Sequence, residues 1–359
     1  MSNGSIELSI IIPTYNERDN IYELFTRIKK TLHNYTEFEI VIVDDNSPDG
    51  TAEYARKVGK ELSLNTKIVK RPRKMGLLSA VIDGLKIASG KYVAVMDADL
   101  QHPPELLLEF LTALRNGAEL VIASRYVKGG GVKEWSFIRR IISKGAIILA
   151  HVLLPKAREI KDPVSGFFAF RKSCIDPKIF SETHPPGFKI LLYIMHKGNF
   201  NNVKEIPYIF EPRVRGKSKL SSKEIIDYLK LLLKLSEFRA IKFAIVGALG
   251  TAVNLGALAI LMYLLGLPNY IAHPIAIEIS IIHNFTLNEL WTFRRRGIST
   301  IIAKMMKFHG SSAIAVITQF VIAQVLSRVL FINYLIAAFI GIVIGYVINY
   351  VVSELVVWR

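Results

Sequence analysis

Apolar and polar positions follow two different rhythms along the chain. Up to about residue 215, short apolar runs alternate with amphipathic stretches. "LSIIIP" (8–13), "EIVIVDD" (39–45), "TKIVK" (66–70), "YVAVMD" (92–97) and "ELVIAS" (119–124) predict strands. Between them "NIYELFTRIKKTL", "AEYARKVGKEL" and "LLSAVIDGLKIA" predict helices. Strands that are apolar on both faces and joined by helices predict an α/β domain whose mostly parallel sheet is covered on both sides. Ligands of such sheets bind beyond the carboxyl ends of the strands.

The rhythm then changes. "FAIVGALGTAVNLGALAILMYLLGL" (243–267) carries no charge and is long enough to cross a bilayer as a helix. Further apolar stretches at 270–293, 311–331 and 334–358 predict an all-α transmembrane domain of four helices, although Glu278, His283 and Glu289 interrupt the second. The expected organisation is an α/β head at 1–220, an amphipathic segment on the membrane surface at 221–242, and a membrane domain at 243–359.

Composition sharpens this picture. A mean hydropathy of +0.33 alongside 21% charged residues requires that polar and apolar residues be segregated along the chain. The net charge of +16 suits either nucleic acid or an anionic membrane face and phosphate-bearing substrates, and the four spans favour the second over nucleic acid. Basic residues gather at Arg239, Lys242, "RRRGISTIIAKMMK" and Arg359, whereas the short links "PN" and "IN" have none. The positive-inside rule then predicts an integral membrane protein with its head and both termini cytoplasmic. The opening "MSNGSIELSIII" lacks the basic start and cleavage site of a signal peptide. The lone Cys174 excludes an intramolecular disulfide and a thiolate metal cage.

Candidate chemistry sits at three predicted strand ends: "IIPTYNERDN", "VDDNSPDGT" and "MDADLQHPPE". No G-x-G-x-x-G follows the first strand and no Walker A loop is present, which argues against a dinucleotide or P-loop site. Asp97 and Asp99, one residue apart, can instead offer oxygens to a hard cation such as Mg²⁺ or Mn²⁺ that leaves coordination positions for a diphosphate.

Together with "ASRYVKGGGV" and "DPVSGFFAFRK", these segments resemble glycosyltransferase family 2 with the GT-A fold, in particular its polyprenyl-phosphate sugar transferases of the dolichyl-phosphate mannose synthase branch. The membrane part, with "KFAIVGALGT" and "HNFTLNELWTF", is similar to the GtrA-like four-helix domain. The resemblance implies transfer of mannose from GDP-mannose to dolichyl (polyprenyl) phosphate, with a sugar from a UDP-sugar as the alternative and a lipid-sugar translocator as the non-enzymatic one. It assigns Pro13, Tyr15, Glu17, Asp44 and Asp45 to the nucleotide sugar. Asp97, Asp99 and Gln101 fall to the metal, and the backbone of Ala98 to the diphosphate. Arg125, Arg139 and Ser143 fall to the acceptor phosphate, and Arg213, Ser218 and Lys219 to the diphosphate or the acceptor. Asp162 is a candidate for orienting the sugar or the acceptor. The chain departs from the family pattern at Leu78 and Ser79, where a second glycine is often seen, at Val164 in place of threonine, and at Phe168 in place of arginine.

Overall fold

The computed structural model describes residues 5–181, 189–212, 222–294 and 299–359. The chain divides into two compact units, Met1–Leu235 and Ser236–Arg359.

In the first unit all five strands read from the sequence are present: β1 (Leu8–Thr14), β2 (Phe38–Asp44), β3 (Thr66–Lys70), β4 (Tyr92–Val95) and β5 (Leu120–Ser124). Four further strands complete the set among the described residues: β6 (Gly131–Val132), β7 (Phe168–Arg171), β8 (Val203–Pro207) and β9 (Ile209–Phe210). Seven of them form one sheet in the order β3-β2-β1-β4-β7-β5-β8, while β6 and β9 pair separately. The sheet is mixed, because β7 runs antiparallel to both β4 and β5 whereas the remaining pairs are parallel.

Alternation along the strands decides what covers each face. Ile10, Ile12, Ile40 and Ile42 enter a core with Leu24 and Phe25 of α1 (Arg18–Leu32), Ala55 and Val58 of α2 (Thr51–Glu61), and Phe110 of α4 (Leu106–Arg115). Ile11 and Val43 point the other way, toward α3 (Leu77–Ile87). A Cβ on Gly84 of α3 would lie 2.6 Å from Ile11 Cγ2, so the missing side chain lets this helix sit close to the sheet.

Register brings the strand ends to one edge. Thr14 lies opposite Asp44, and Ile11 opposite Val95, so the loops after β1, β2 and β4 emerge side by side. The loops are also tied to one another: Asn16 N–H donates to Ser47 Oγ at 3.0 Å and Glu17 N–H to Thr51 Oγ1 at 3.0 Å. Past α4, the unit adds α5 (Phe137–Leu153), α6 (Ile190–Lys197) and α7 (Ser222–Leu235). Helices α5 and α7 are joined by Tyr228 Oη donating to Ala146 O at 2.6 Å.

The second unit contains four long helices among its described residues: α8 (Arg239–Ala259), α9 (Asn269–Leu287), α10 (Ile301–Arg328) and α11 (Tyr334–Val352). Helices α8, α9 and α11 each run on through one π-helical turn, at Ile260–Leu264, Asn288–Thr292 and Ser353–Val357. Among the described residues three helical spans are long and apolar enough to cross a membrane, Arg239–Leu264, Ile301–Arg328 and Tyr334–Val357. Helix α9, whose sequence is broken by ionisable residues, is the fourth helix and is not one of these.

Helix α10 begins at Ile301, ten residues before the apolar pattern suggested, because the basic stretch after residue 300 is helical and one of its charges is buried. Lys304 Nζ pairs with Glu289 Oε1 at 3.0 Å, and Trp358 Nε1 donates to Glu289 Oε2 at 2.6 Å. At the same set of helix ends Arg239 Nε pairs with Glu354 Oε2 at 3.0 Å, with Trp358 stacked on Phe293 at a 4.1 Å centroid separation. Two of the basic residues that suggested membrane orientation are thus neutralised inside the unit. Glu278, within α9, meets His309 Nε2 of α10 at 3.0 Å. Close packing of α10 on α11 depends on Gly341 and Gly345, where a Cβ would lie 2.6 Å from Gln319 O and 2.8 Å from Ala315 O.

Candidate active site

The loop after β4 carries Asp97 and Asp99, and its shape is fixed by its neighbours. Leu100 has φ 61° and Asn16 and Asn46, at the other two strand ends, have φ 61° and 56°. Asparagine tolerates this left-handed conformation, whereas for leucine it costs roughly 1–3 kcal/mol. Burial of the Leu100 side chain in the core offsets that strain. Gln101 N–H donates to Asp99 Oδ1 at 3.2 Å, and Gln101 Nε2 donates to Glu211 O at 2.8 Å. His102 completes the turn, accepting from Asp97 N–H on Nδ1 at 3.1 Å while its ring stacks on Phe167. Burial pushes the His102 imidazole down to about 4, so the ring is neutral at pH 7 and acts as an acceptor.

The two aspartates are presented differently. The Asp97 side chain is 41% exposed and lines a cavity, whereas Asp99 is buried. Ala98 is buried between them. Gly166 keeps this region open, since a Cβ there would stand 3.5 Å from Asp97 Oδ2 and 3.2 Å from His102 Cε1. Among the described residues no three His, Cys, Asp or Glu side chains gather into a metal cage. A two-carboxylate donor set fits Mg²⁺ or Mn²⁺ of the kind that takes its other oxygens from water and substrate phosphate.

The loops after β1 and β2 form the neighbouring wall. Asp44 is fully buried and accepts from Thr14 Oγ1 at 2.9 Å, Ser47 Oγ at 2.6 Å and Ser47 N–H at 2.8 Å. Asp45 is committed as well. Its Oδ1 is held by the Arg71 guanidinium, while Oδ2 accepts from Met75 N–H at 3.2 Å and Gly76 N–H at 3.3 Å. Arg71 in turn donates to Ser79 Oγ at 2.7 Å and to Gly76 O at 2.9 Å. Ser79, one of the departures from the family pattern, therefore ties the first turn of α3 to the loop that follows Arg71. Both aspartates shape the floor of the site rather than presenting bare carboxylates to it.

Tyr15 is exposed, with Lys74 Nζ 4.2 Å from its ring centroid. Glu17 precedes α1 and accepts from Asn20 Nδ2 at 2.7 Å. Pro13 is buried within β1 and contributes through the backbone path of the strand.

A cavity of about 510 Å³ opens beside Asp97. Its polar lining includes Arg125, Arg139, Ser143, Lys189 and Glu224, and its apolar lining includes Ile142, Leu149, Ile225 and Leu229 from α5 and α7. Arg125 grips the fully buried Asp162 through Nε and Nη2, each at 2.7 Å, and its backbone N–H adds a third bond at 3.0 Å. Asp162 is therefore paired with an arginine and caps no helix among the described residues. Arg139 lies 4.5 Å over the Trp135 ring. Ser143 Oγ accepts from Tyr126 Oη at 2.8 Å. Burial first, and Arg125 second, push the Lys189 ammonium down to about 8.

The structure thus brings Asp97, Gln101, Arg125, Arg139 and Ser143 to one cavity. Arg213, Ser218 and Lys219 lie outside the described residues. Arg71, His102, Gly166 and Lys189 were not found from the sequence. The signals available were the adjacency of His102 to the aspartate pair and the place of Gly166 within "DPVSGFFAFRK".

Comparison with known proteins agrees with this architecture. The glycosyl transferase family 2 model matches residues 9–176 and the GtrA/DPMS transmembrane domain model matches residues 242–358. Dolichol-phosphate mannosyltransferase of Pyrococcus furiosus is 46% identical over 339 residues, covering 92% of this chain and 94% of that protein. Dolichol-phosphate mannosyltransferase of Saccharomyces cerevisiae is 37% identical over 250 residues, covering 66% and 89%. Crystal structures of Mycobacterium tuberculosis glucosyl-3-phosphoglycerate synthase, one in complex with Mn²⁺, UDP-glucose and glycerol 3-phosphate, match with TM-score 0.47 at 18% identity over 65% of this chain and 80% of that one. On the match to the Pyrococcus protein across nearly all of both chains, this chain belongs to the dolichol-phosphate mannosyltransferases of glycosyl transferase family 2, and its second unit is a GtrA/DPMS transmembrane domain.

Proposed function

We propose that the protein transfers mannose from GDP-mannose to dolichyl or another polyprenyl phosphate at the cytoplasmic face of a membrane, in one inverting displacement. The observation that carries this reading is a single cavity lined by a strand-end carboxylate, by arginines and a lysine, and by the apolar faces of two helices. A lipid phosphate needs all three.

The chemistry asks for orientation more than for proton transfer. A phosphate monoester has a second pKa near 6, so the acceptor oxygen is already ionised at neutral pH. In keeping with that, two groups near Asp97 that can serve as bases are otherwise occupied. Asp162 is locked to Arg125, and His102 accepts the Asp97 N–H. Asp97 and Asp99 would hold Mg²⁺ or Mn²⁺, which when bound neutralises negative charge building on a departing diphosphate. The chain's own task is to hold the sugar donor over the β1 and β2 loops and bring the acceptor phosphate toward it from the Arg139 and Ser143 side.

The test is transfer of labelled sugar to dolichyl phosphate by the full chain in detergent, with GDP-mannose compared against UDP-glucose. Mannolipid from GDP-mannose is the expected product. Glucolipid alone would keep the chemistry and replace the donor, and absence of lipid product from both donors would favour a translocator.

The wall built by Asp45 and Arg71 makes a separate prediction about the donor. Arg71→Met removes the group that holds Asp45, Gly76 and Ser79 together, so the KM for GDP-mannose is expected to rise by roughly 10- to 100-fold, the cost of charged hydrogen bonds. The KM for lipid phosphate should stay nearly constant. Steady-state kinetics with each substrate varied in turn would show this, and equal losses toward both substrates would contradict it.

A further inference from the structure

The two ring nitrogens of His102 are in different positions chemically. Asp97 N–H donates to Nδ1 at 3.1 Å, so Nδ1 supplies its lone pair and the proton of the neutral ring sits on Nε2. Nε2 is therefore a donor. Among the described residues it has no hydrogen-bond partner. A donor withdrawn from water and left unmatched is rare in folded proteins, and beside a ligand cavity it points to an acceptor that the ligand brings.

The surroundings of the ring agree. His102 is only 2% exposed, yet it lines the cavity together with Asp97 and Gly166. A Cβ on Gly166 would stand 3.2 Å from His102 Cε1 and 3.7 Å from Nε2. A side chain at 166 would press on the ring edge that carries the proton, and glycine leaves that edge clear. Elsewhere the ring is enclosed by Phe167, Tyr208 and Phe210, at centroid separations of 5.2, 6.2 and 6.0 Å. These rings fix its orientation, and an aromatic face is a weak acceptor beside an anionic oxygen.

The cavity also indicates which oxygen is concerned. Arg139 and Ser143 line it with apolar side chains of α5 and α7, whereas Tyr15, Asp44 and Asp45 of the loops after β1 and β2 are not among its lining residues. We infer that His102 is an acceptor-binding residue whose Nε2–H donates to a phosphate oxygen of the lipid substrate. The role rests on the reading of the acceptor given under the proposed function. It asks for a neutral donor and no base, in keeping with a phosphate that is already ionised.

The test separates the two nitrogens in the full-length protein in detergent micelles, with dolichyl phosphate and GDP-mannose each varied at saturation of the other. His102→Asn places an amide where Nδ1 lies, so it can still accept from Asp97 N–H, but it has nothing at the place of Nε2. Its KM for dolichyl phosphate should rise by roughly 10- to 100-fold, the cost of a lost hydrogen bond to a charged group, with the KM for GDP-mannose within about twofold of wild type. His102→Gln reaches the place of Nε2 with an amide N–H and gives up the bond from Asp97. It should recover most of the dolichyl phosphate KM while melting at a lower temperature than wild type. An unchanged KM for dolichyl phosphate in His102→Asn would overturn the inference, as would a rise confined to GDP-mannose, which would place the donor at the nucleoside diphosphate. Equal losses toward both substrates in both variants would assign His102 to the turn alone. A wild-type protein that forms no mannolipid would refute the underlying reading and this role with it, and that failure is seen without any variant.

Discussion

Asp97→Ala is expected to lower kcat for mannolipid formation by about 10²–10³, the range seen when one electrostatic partner of a developing negative charge is removed. Exposure sets it apart from Asp99. Asp97 presents a 41% exposed side chain to the cavity, and its backbone N–H, not its carboxylate, is what His102 holds. The loop should therefore survive the substitution, with a melting temperature close to wild type. Asp99→Ala is expected to lose activity and stability together, because its buried carboxylate accepts the Gln101 N–H and supports a turn in which Leu100 has φ 61°. Chelation by EDTA should abolish wild-type turnover, and Mg²⁺ or Mn²⁺ should restore it. Turnover measurements paired with thermal unfolding separate the two aspartates. Retention of more than a tenth of wild-type kcat in Asp97→Ala would remove this residue from the reaction.

The second large effect concerns the Arg125–Asp162 pair. Both side chains are almost wholly withdrawn from water, at 7% and 0% exposure. Removing one partner of such a pair leaves the other as an uncompensated buried charge, at a cost of about 3–5 kcal/mol. For a unit of this size, Asp162→Ala should therefore lower the melting temperature by roughly 6–20 °C. The double variant Arg125→Met with Asp162→Leu removes both charges and should regain much of the stability while remaining poorly active, since the wall beside Lys189 loses its charge pattern. Unfolding scans of the single and double variants test this. A double variant no more stable than Asp162→Ala alone would show that the pair contributes through shape rather than charge.

These cases also show what a sequence can and cannot reveal. Strands β1 and β2 were legible because they are buried on both faces and read as nearly unbroken apolar runs. Strand β7 was not, since its four residues "FAFR" are too few to display a period, and β8 lies at the sheet edge with mostly exposed residues. Asp97 and Asp99 stood out as two carboxylates one residue apart at the end of an apolar run. Arg71 did not, because its partner Asp45 is 26 residues earlier and only the fold brings them together. Lys304 hid the start of α10 for a related reason. Its charge reads as water-facing until Glu289 is seen beside it.

The clasp at the ends of the membrane helices imposes an order on biogenesis. Arg239 precedes its partner Glu354 by 115 residues, and Glu289 waits for both Lys304 and Trp358. At roughly 5–20 residues per second of synthesis, the arginine goes unmatched on the order of ten seconds. During that interval an unpaired cation has no favourable place in hydrocarbon. The ion-paired clasp can therefore close only after the last helix has been delivered.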